Sequence, residues 1–200
     1  MRHSRNLAAA ALTAFITTVL AAAAPPLAAE QTLTLDPAKT RITFLLGATG
    51  HDVEGAFALR SGALRLDPAT GAASGEIVVD LTVGKTGNDS RDGTMQEKVL
   101  KTPKFPVATL RAERFTGTLA ASGSSQITLE GTLSLHGTDH PVKIPAKVAI
   151  AGTHLSATAE LPVPFVEWGL TDPSIMFLRV EKVVQVRLAV EGELAAPPAP

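Results

Sequence analysis

The chain has 200 residues, 18 basic and 19 acidic, with no cysteine and only 4% aromatic residues. That length fits one domain plus tails, and the missing thiols exclude disulfides, thiol catalysis, thiolate metal sites and a lipoprotein's lipid-modified cysteine. No basic stripe is present, so nucleic acid is not an expected partner.

Residues 1–29 read as an export signal: Arg2 and Arg5 form a positive start, Leu7 to Ala24 is an apolar run, and small residues precede Glu30. Cleavage is expected after Ala28 or Ala29, because Pro25 spoils the earlier Ala22-Ala23-Ala24 site. The alternative is an uncleaved anchor, since the run approaches bilayer-spanning length. Its alanine richness makes it weakly hydrophobic, which favours removal. Without Arg2 and Arg5 the basic count falls from 18 to 16 against 19 acidic residues, a net charge near −3. A periplasmic or secreted protein without stable membrane insertion is expected, with a domain over 30–194 and a Pro/Ala-rich tail over 195–200.

Within that domain the dominant signal has period two. Leu33 and Leu35 alternate with threonines until Asp36-Pro37. Ile42, Phe44 and Leu46 continue the pattern. Val53 to Leu59 and Ala63 to Leu66 follow, and Ser61-Gly62 between them reads as a tight hairpin. Ile77, Val79, Leu81 and Val83 then share one face.

Val83 to Leu110 is the long departure from alternation. Gly87 to Gly93 is rich in turn residues, with Asp89 and Asp92 read as turn and helix caps rather than catalytic carboxylates. Arg91 between them is either an organiser paired with one of those carboxylates or a solvated charge. Thr94 and Glu97 have capping-box spacing, which predicts a short helix carrying Met95, Val99 and Leu100 and ending by Pro103. Phe105-Pro106 restarts an extended segment.

Ala108, Leu110 and Ala112 alternate next, then Ile127, Leu129, Gly131, Leu133 and Leu135, the cleanest strand signal in the chain. A turn at His136-Gly137-Thr138-Asp139 leads into Val142 to Ile150, and another at Gly152 into Leu155 to Val163. A proline-punctuated connection holding Trp168 precedes the closing strand with Val184, Val186, Leu188 and Val190. About eight strands in consecutive hairpins, each with one apolar face, predict an all-β, antiparallel β-barrel with one short helix in a long loop. Small residues such as Ala108 and Ala157 on the inner face either fit a tapering end or leave room for an apolar ligand.

Catalytic patterns are missing: there is no Gly-x-Ser-x-Gly elbow, phosphate loop or His-Glu-x-x-His motif. His51-Asp52, His136 and His140 would form a metal site only if their turns share one barrel end, and their spacing matches no standard metal motif.

The ordered set Ile42-Thr43-Phe44, Val53-Glu54-Gly55-Ala56-Phe57, Thr86-Gly87-Asn88 with Arg91-Asp92, Phe105-Pro106, and Leu133-Ser134-Leu135-His136-Gly137 with Pro141-Val142 resembles the YceI-like family of bacterial exported proteins. The resemblance covers roughly Leu33 to Leu194. It implies a lipocalin-like barrel whose elongated apolar pocket takes a polyisoprenoid chain, such as the tail of a quinone or prenyl lipid. It implies no catalytic residue and no cofactor.

The expected function is non-enzymatic binding, transport or storage of such a lipid. Because only one side of each strand can line a barrel, the expected lining is Phe44, Leu81, Leu110, Leu133, Ala157 and Val186, with Met95 and Val99 near the entrance. The rivals are a histidine-based metal protein or enzyme and a filled, stress-protective β-domain. A homodimer is left open.

Overall fold

The computed structural model describes residues 30–195. The expected export signal and residues 196–200 of the expected tail lie outside the described residues. Among the described residues nine strands are formed: β1 (Gln31–Leu35), β2 (Arg41–Leu46), β3 (Val53–Asp67), β4 (Ala72–Lys85), β5 (Val107–Gly117), β6 (Gly123–Leu135), β7 (Thr138–Ala151), β8 (His154–Val163) and β9 (Val184–Ala195). Helix α1 (Asp89–Thr94) runs directly into a π-helical turn, Met95–Leu100, between β4 and β5.

The nine strands make a closed barrel of eight staves. β1 pairs with Ala63 to Leu66 of β3 and with Gly192 to Ala195 of β9. β2 pairs with Val53 to Phe57 of β3 and Gln185 to Ala189 of β9. Both lie between the same two neighbours in the same direction, so they form one stave interrupted at Asp36-Pro37, where proline lacks an N–H for the ladder. Every other neighbour is consecutive in sequence, and the β3–β4 pairing closes the ring. Closure leaves no long open edge.

This up-and-down order puts the long connections at one end, together with the two-residue β6–β7 turn. The short turns β3–β4 and β7–β8 lie at one end with the chain termini. The β2–β3 loop, the helical β4–β5 connection and the long β8–β9 segment lie at the other. Leu33, Leu64, Leu66, Phe115, Leu119 and Leu155 pack the terminal end into a core, and Leu119 is only 2% exposed. A second cluster at the loop end includes Leu81, Leu100, Leu135, Val163, Phe165 and Leu170.

Three local expectations are corrected. Ser61-Gly62 is no hairpin, because β3 runs unbroken and an irregularity between Leu59 and Ser61 inserts one extra residue opposite Val79 and Val78. A one-residue bulge shifts side-chain parity. Inward positions therefore pass from Phe57 and Leu59 to Leu64 and Leu66, and that change resembles two strands in the sequence. A Cβ on Gly62 would lie 2.7 Å from Leu35 Cδ1, so glycine fits the close approach.

Val83 does not share the inner face, being 48% exposed. Asp80 Oδ1 accepts from the Thr82 N–H at 2.9 Å and from its hydroxyl at 2.6 Å. This local turn competes with the ladder, and pairing with β3 skips from Asp80 to Lys85.

The helix also begins earlier than the Thr94 capping box predicts. Asn88 is its N-cap, its side chain accepting from the Arg91 N–H at 3.0 Å, whereas Thr94 makes no side-chain cap bond. Lys101 ends the π-helical turn in the left-handed region at φ 52°, before Pro103. Gly93 lies inside α1 with open space where a Cβ would go. Gly93→Ala should raise stability by about 0.5–1 kcal/mol, read as a higher urea midpoint with an unchanged slope.

Candidate functional site

An apolar cavity of about 740 Å³ occupies the barrel and reaches the loop end. The period-two rule places its walls: inward side chains at alternate positions of β8 include Leu155, Ala157, Ala159, Leu161 and Val163, all lining the cavity. Ala108, Ala146, Ala157 and Ala159 stop short of the centre and leave the space, whereas Ala112 packs into the terminal core. The small residues thus serve both readings, taper at one end and lumen along the rest.

All eight expected lining residues border this cavity. Phe44, Leu81, Leu110, Leu133, Ala157 and Val186 come from six staves, and Met95 and Val99 from the π-helical turn over the mouth. Two glycines admit the aromatic wall. A Cβ on Gly55 would sit 2.3 Å from Phe44 Cζ, and one on Gly84 would sit 2.4 Å from Phe57 Cε1 and 3.0 Å from Met95 Cε. The Phe44 and Phe57 rings stack with centroids 5.2 Å apart. Each ring covers a neighbouring glycine, a device that seals a sheet without a Cβ.

Sequence periodicity missed the polar rim. Thr49, His51, Asn88, Ser90, Arg91 and Arg179 border the cavity at its mouth. They lie in connections, where alternation carries no information. The turn-rich composition of Gly87 to Gly93 was the visible signal for Asn88, Ser90 and Arg91, and His51 stood out only as a metal candidate.

Thr86 organises this rim. Its N–H and hydroxyl donate to Asp92 Oδ1 at 2.7 and 2.6 Å, while its hydroxyl and carbonyl accept from Arg91 Nε and Nη2, both at 2.8 Å. Arg91 therefore works through Thr86 rather than by direct pairing with a carboxylate. Asp92, 3% exposed, clamps the loop instead of capping a helix. The Thr86 hydroxyl bond is the largest influence holding the Asp92 carboxyl below its ordinary value of 3.8, with Lys85 and Arg91 also contributing.

Asp92→Ala strands the Thr86 donors and should lower the melting temperature by several degrees while leaving the cavity walls intact. Because folding depresses this pKa, the stability from ionised Asp92 is fully present above 3.8 and is lost as pH falls through the lower folded value. Melts of wild type and Asp92→Ala should therefore converge in acid. A constant difference between neutral and strongly acidic solution would refute the clamp.

The histidine segments do share the loop end of the barrel, yet the rings of His136 and His140 meet aromatic side chains and His51 borders the cavity mouth. His136 packs on Phe105 at 4.5 Å, and His140 stacks on Trp168 at 4.0 Å with an interplanar angle of 6°. Burial, followed by the charges of Lys101 and Lys104, pushes the His136 pKa down. Among the described residues, no three His, Asp or Glu side chains converge to hold a metal ion.

The sequence profile described as the YceI-like domain matches residues 33–192. No curated protein matches the chain. Among solved structures, BcnA from Burkholderia cenocepacia superposes with a TM-score of 0.64 at 19% identity, covering 78% of this chain and 98% of that one. A polyisoprenoid binding domain from Saccharophagus degradans, implicated in plant cell wall breakdown, gives 0.61 at 19% identity over 82% and 98%. The Campylobacter jejuni YceI protein gives 0.54 at 15% identity over 72% and 85%.

Proposed function

We propose, from the premise that this chain belongs to the YceI-like family, that its barrel binds an apolar isoprenoid-type lipid and carries or stores it without catalysis. The observation that carries this reading is the apolar cavity of about 740 Å³ opening at one barrel end. Pockets of roughly 300–1,000 Å³ suit drug-sized apolar molecules. Cavity-lining positions from Leu155 to Val163 span about 26 Å along β8 at roughly 3.3 Å per residue. That length suits a chain better than a compact ring system.

Each CH₂ buried contributes about 0.8 kcal/mol, so several isoprene units provide affinity without a charged anchor. The polar rim around Arg91 and Ser90 leaves a polar head, such as that of a quinone or prenyl alcohol, at the mouth. The solved Saccharophagus domain, named for polyisoprenoid binding, supports this ligand class. We also propose Phe44, Leu81, Met95, Val99, Leu110, Leu133, Ala157 and Val186 as ligand contacts. The proposed setting is periplasmic or secreted, with residues 30–194 as the working domain. Among the described residues no helix is long and apolar enough to cross a membrane.

Mass spectrometry of an organic extract from freshly purified protein is the direct test. A polyisoprenoid or prenyl-quinone recovered in near-stoichiometric amount is the expected result. An extract without lipid, combined with no uptake of geranylgeraniol offered in detergent, would overturn the reading.

A further inference from the structure

The segment between β8 and β9 carries an exposed apolar tip at the cavity mouth. Ile175 and Leu178 face each other across a two-residue turn, with backbone hydrogen bonds of 3.0 and 2.8 Å. Met176 and Phe177 form the apex, with Met176 in the left-handed region at φ 44°. Ile175, Met176, Phe177 and Leu178 are 64%, 83%, 86% and 59% exposed. Four consecutive large apolar side chains facing water form a patch, whereas scattered exposed ones are ordinary.

The base of this tip is pinned. The Thr49 N–H donates to the Arg179 carbonyl at 2.9 Å, and the Arg179 N–H donates to Thr49 Oγ1 at 3.2 Å. The Val180 N–H donates to Ser174 Oγ at 3.1 Å, and Lys182 Nζ donates to Asp172 at 2.5 Å. These bonds present the apex on a stalk fixed to the β2–β3 loop. Ile175 and Leu178 also border the cavity, which makes the exposed patch continuous with the lumen.

We propose that the Ile175–Leu178 tip docks the barrel mouth onto the surface of a lipid bilayer, so that an apolar chain moves between membrane and cavity without crossing water. The choice of occupant rests on the lipid-binding reading above. Size and shape also favour a bilayer. Scaling the roughly 200 Å² of an aromatic side chain to all four residues and their fractional exposures, the tip exposes on the order of 600 Å². A standard protein interface buries about 800 Å² per partner, so the tip alone reaches only the lower bound of that class. An exposed apex also offers no concave surface for a partner to fill, but it can enter the headgroup and acyl boundary as a wedge. Arg179, exposed and next to the tip, would meet the anionic lipids of a docked bilayer.

The protein, purified from cells expressing the full chain, is mixed with vesicles of phosphatidylethanolamine and phosphatidylglycerol and floated through a density gradient. Wild type should float, and the double variant Met176→Ser, Phe177→Ser should partition at least about tenfold more weakly. Both changed side chains point into solvent, and matching melting curves will show that the fold survives. Failure of wild type to float, or equal flotation of both proteins, overturns the proposal. A wild-type dimer that does not float and dissociates in the double variant would assign the tip to a second copy, and also overturns it. Uptake of geranylgeraniol from detergent micelles is measured separately and should be equal in both. Lack of uptake by either protein would sink the lipid-binding reading, while flotation would still decide docking.

Discussion

Ala157→Trp is expected to strip the barrel of co-purified lipid, whereas Thr158→Trp leaves the lipid content unchanged. Ala157 pairs with Val148 on β7 and Val190 on β9, and its side chain faces the lumen. Thr158, one residue on, is exposed on the outer face. An indole at position 157 fills the space that the small residues leave open and shortens the cavity from its closed end along β8.

Excluding even two CH₂ groups at about 0.8 kcal/mol each lowers affinity by roughly tenfold, and a blocked lumen excludes more. Inserting a large group into a packed core costs about 1–3 kcal/mol. Here part of that cost is relieved because the new ring enters a void, so the variant should stay folded. Lipid per protein by mass spectrometry, with circular dichroism on the same samples, makes the comparison. Equal lipid in two folded variants would mean that the inner face does not hold the ligand.

This pair of variants also shows what was legible in the chain. A closed antiparallel barrel gives each strand one wet and one dry face, so alternation carries both the fold and the identity of the wall. Phe44, Leu81, Leu110, Leu133, Ala157 and Val186 could be placed on the cavity side for that reason. Alternation fails where the backbone gains a residue. The β3 bulge near Ser61 shifts parity within one strand, and the Asp80–Thr82 turn releases Val83 to solvent. Neither event has a composition distinct from that of a hairpin or a regular strand.

The loop end was less legible because its geometry comes from contacts distant in sequence. Thr49 and Arg179 lie 130 positions apart, and their hydrogen bonds fix the stalk of the apolar tip. Likewise, Thr86 and Asp92 are visible as turn formers, but only the folded loop shows that one hydroxyl links Arg91 to Asp92. Small residues facing inward left two readings open, a tapering filled end or a lumen. Where the void lay depended on Phe115 and Leu119 closing the terminal end.

Gly131→Ala should be among the most damaging single-methyl additions to this chain. Gly131 sits in β6 between Leu129 and Leu133, both of which line the cavity. A Cβ there would lie 2.1 Å from the Arg111 carbonyl oxygen and 3.2 Å from Ala112 Cα. Both obstacles are backbone, at the point where β5 shifts register between Ala112 and Arg114. No rotamer change relieves such a clash, so β5 and β6 must separate around the Ala112–Gly131 pair. The expected loss is about 3 kcal/mol or more, at or above the upper end of ordinary point changes. In a domain of this size that corresponds to a melting temperature lower by roughly 6–12 °C. Gly93→Ala adds the same methyl with the opposite expected sign, which separates a steric cause from any general effect of replacing glycine. Bound lipid stabilises the folded state by mass action, so saturating geranylgeraniol should recover part of the Gly131→Ala loss. Unchanged melting of Gly131→Ala would refute the close β5 approach, while a large loss without lipid rescue would detach this strand pair from ligand binding.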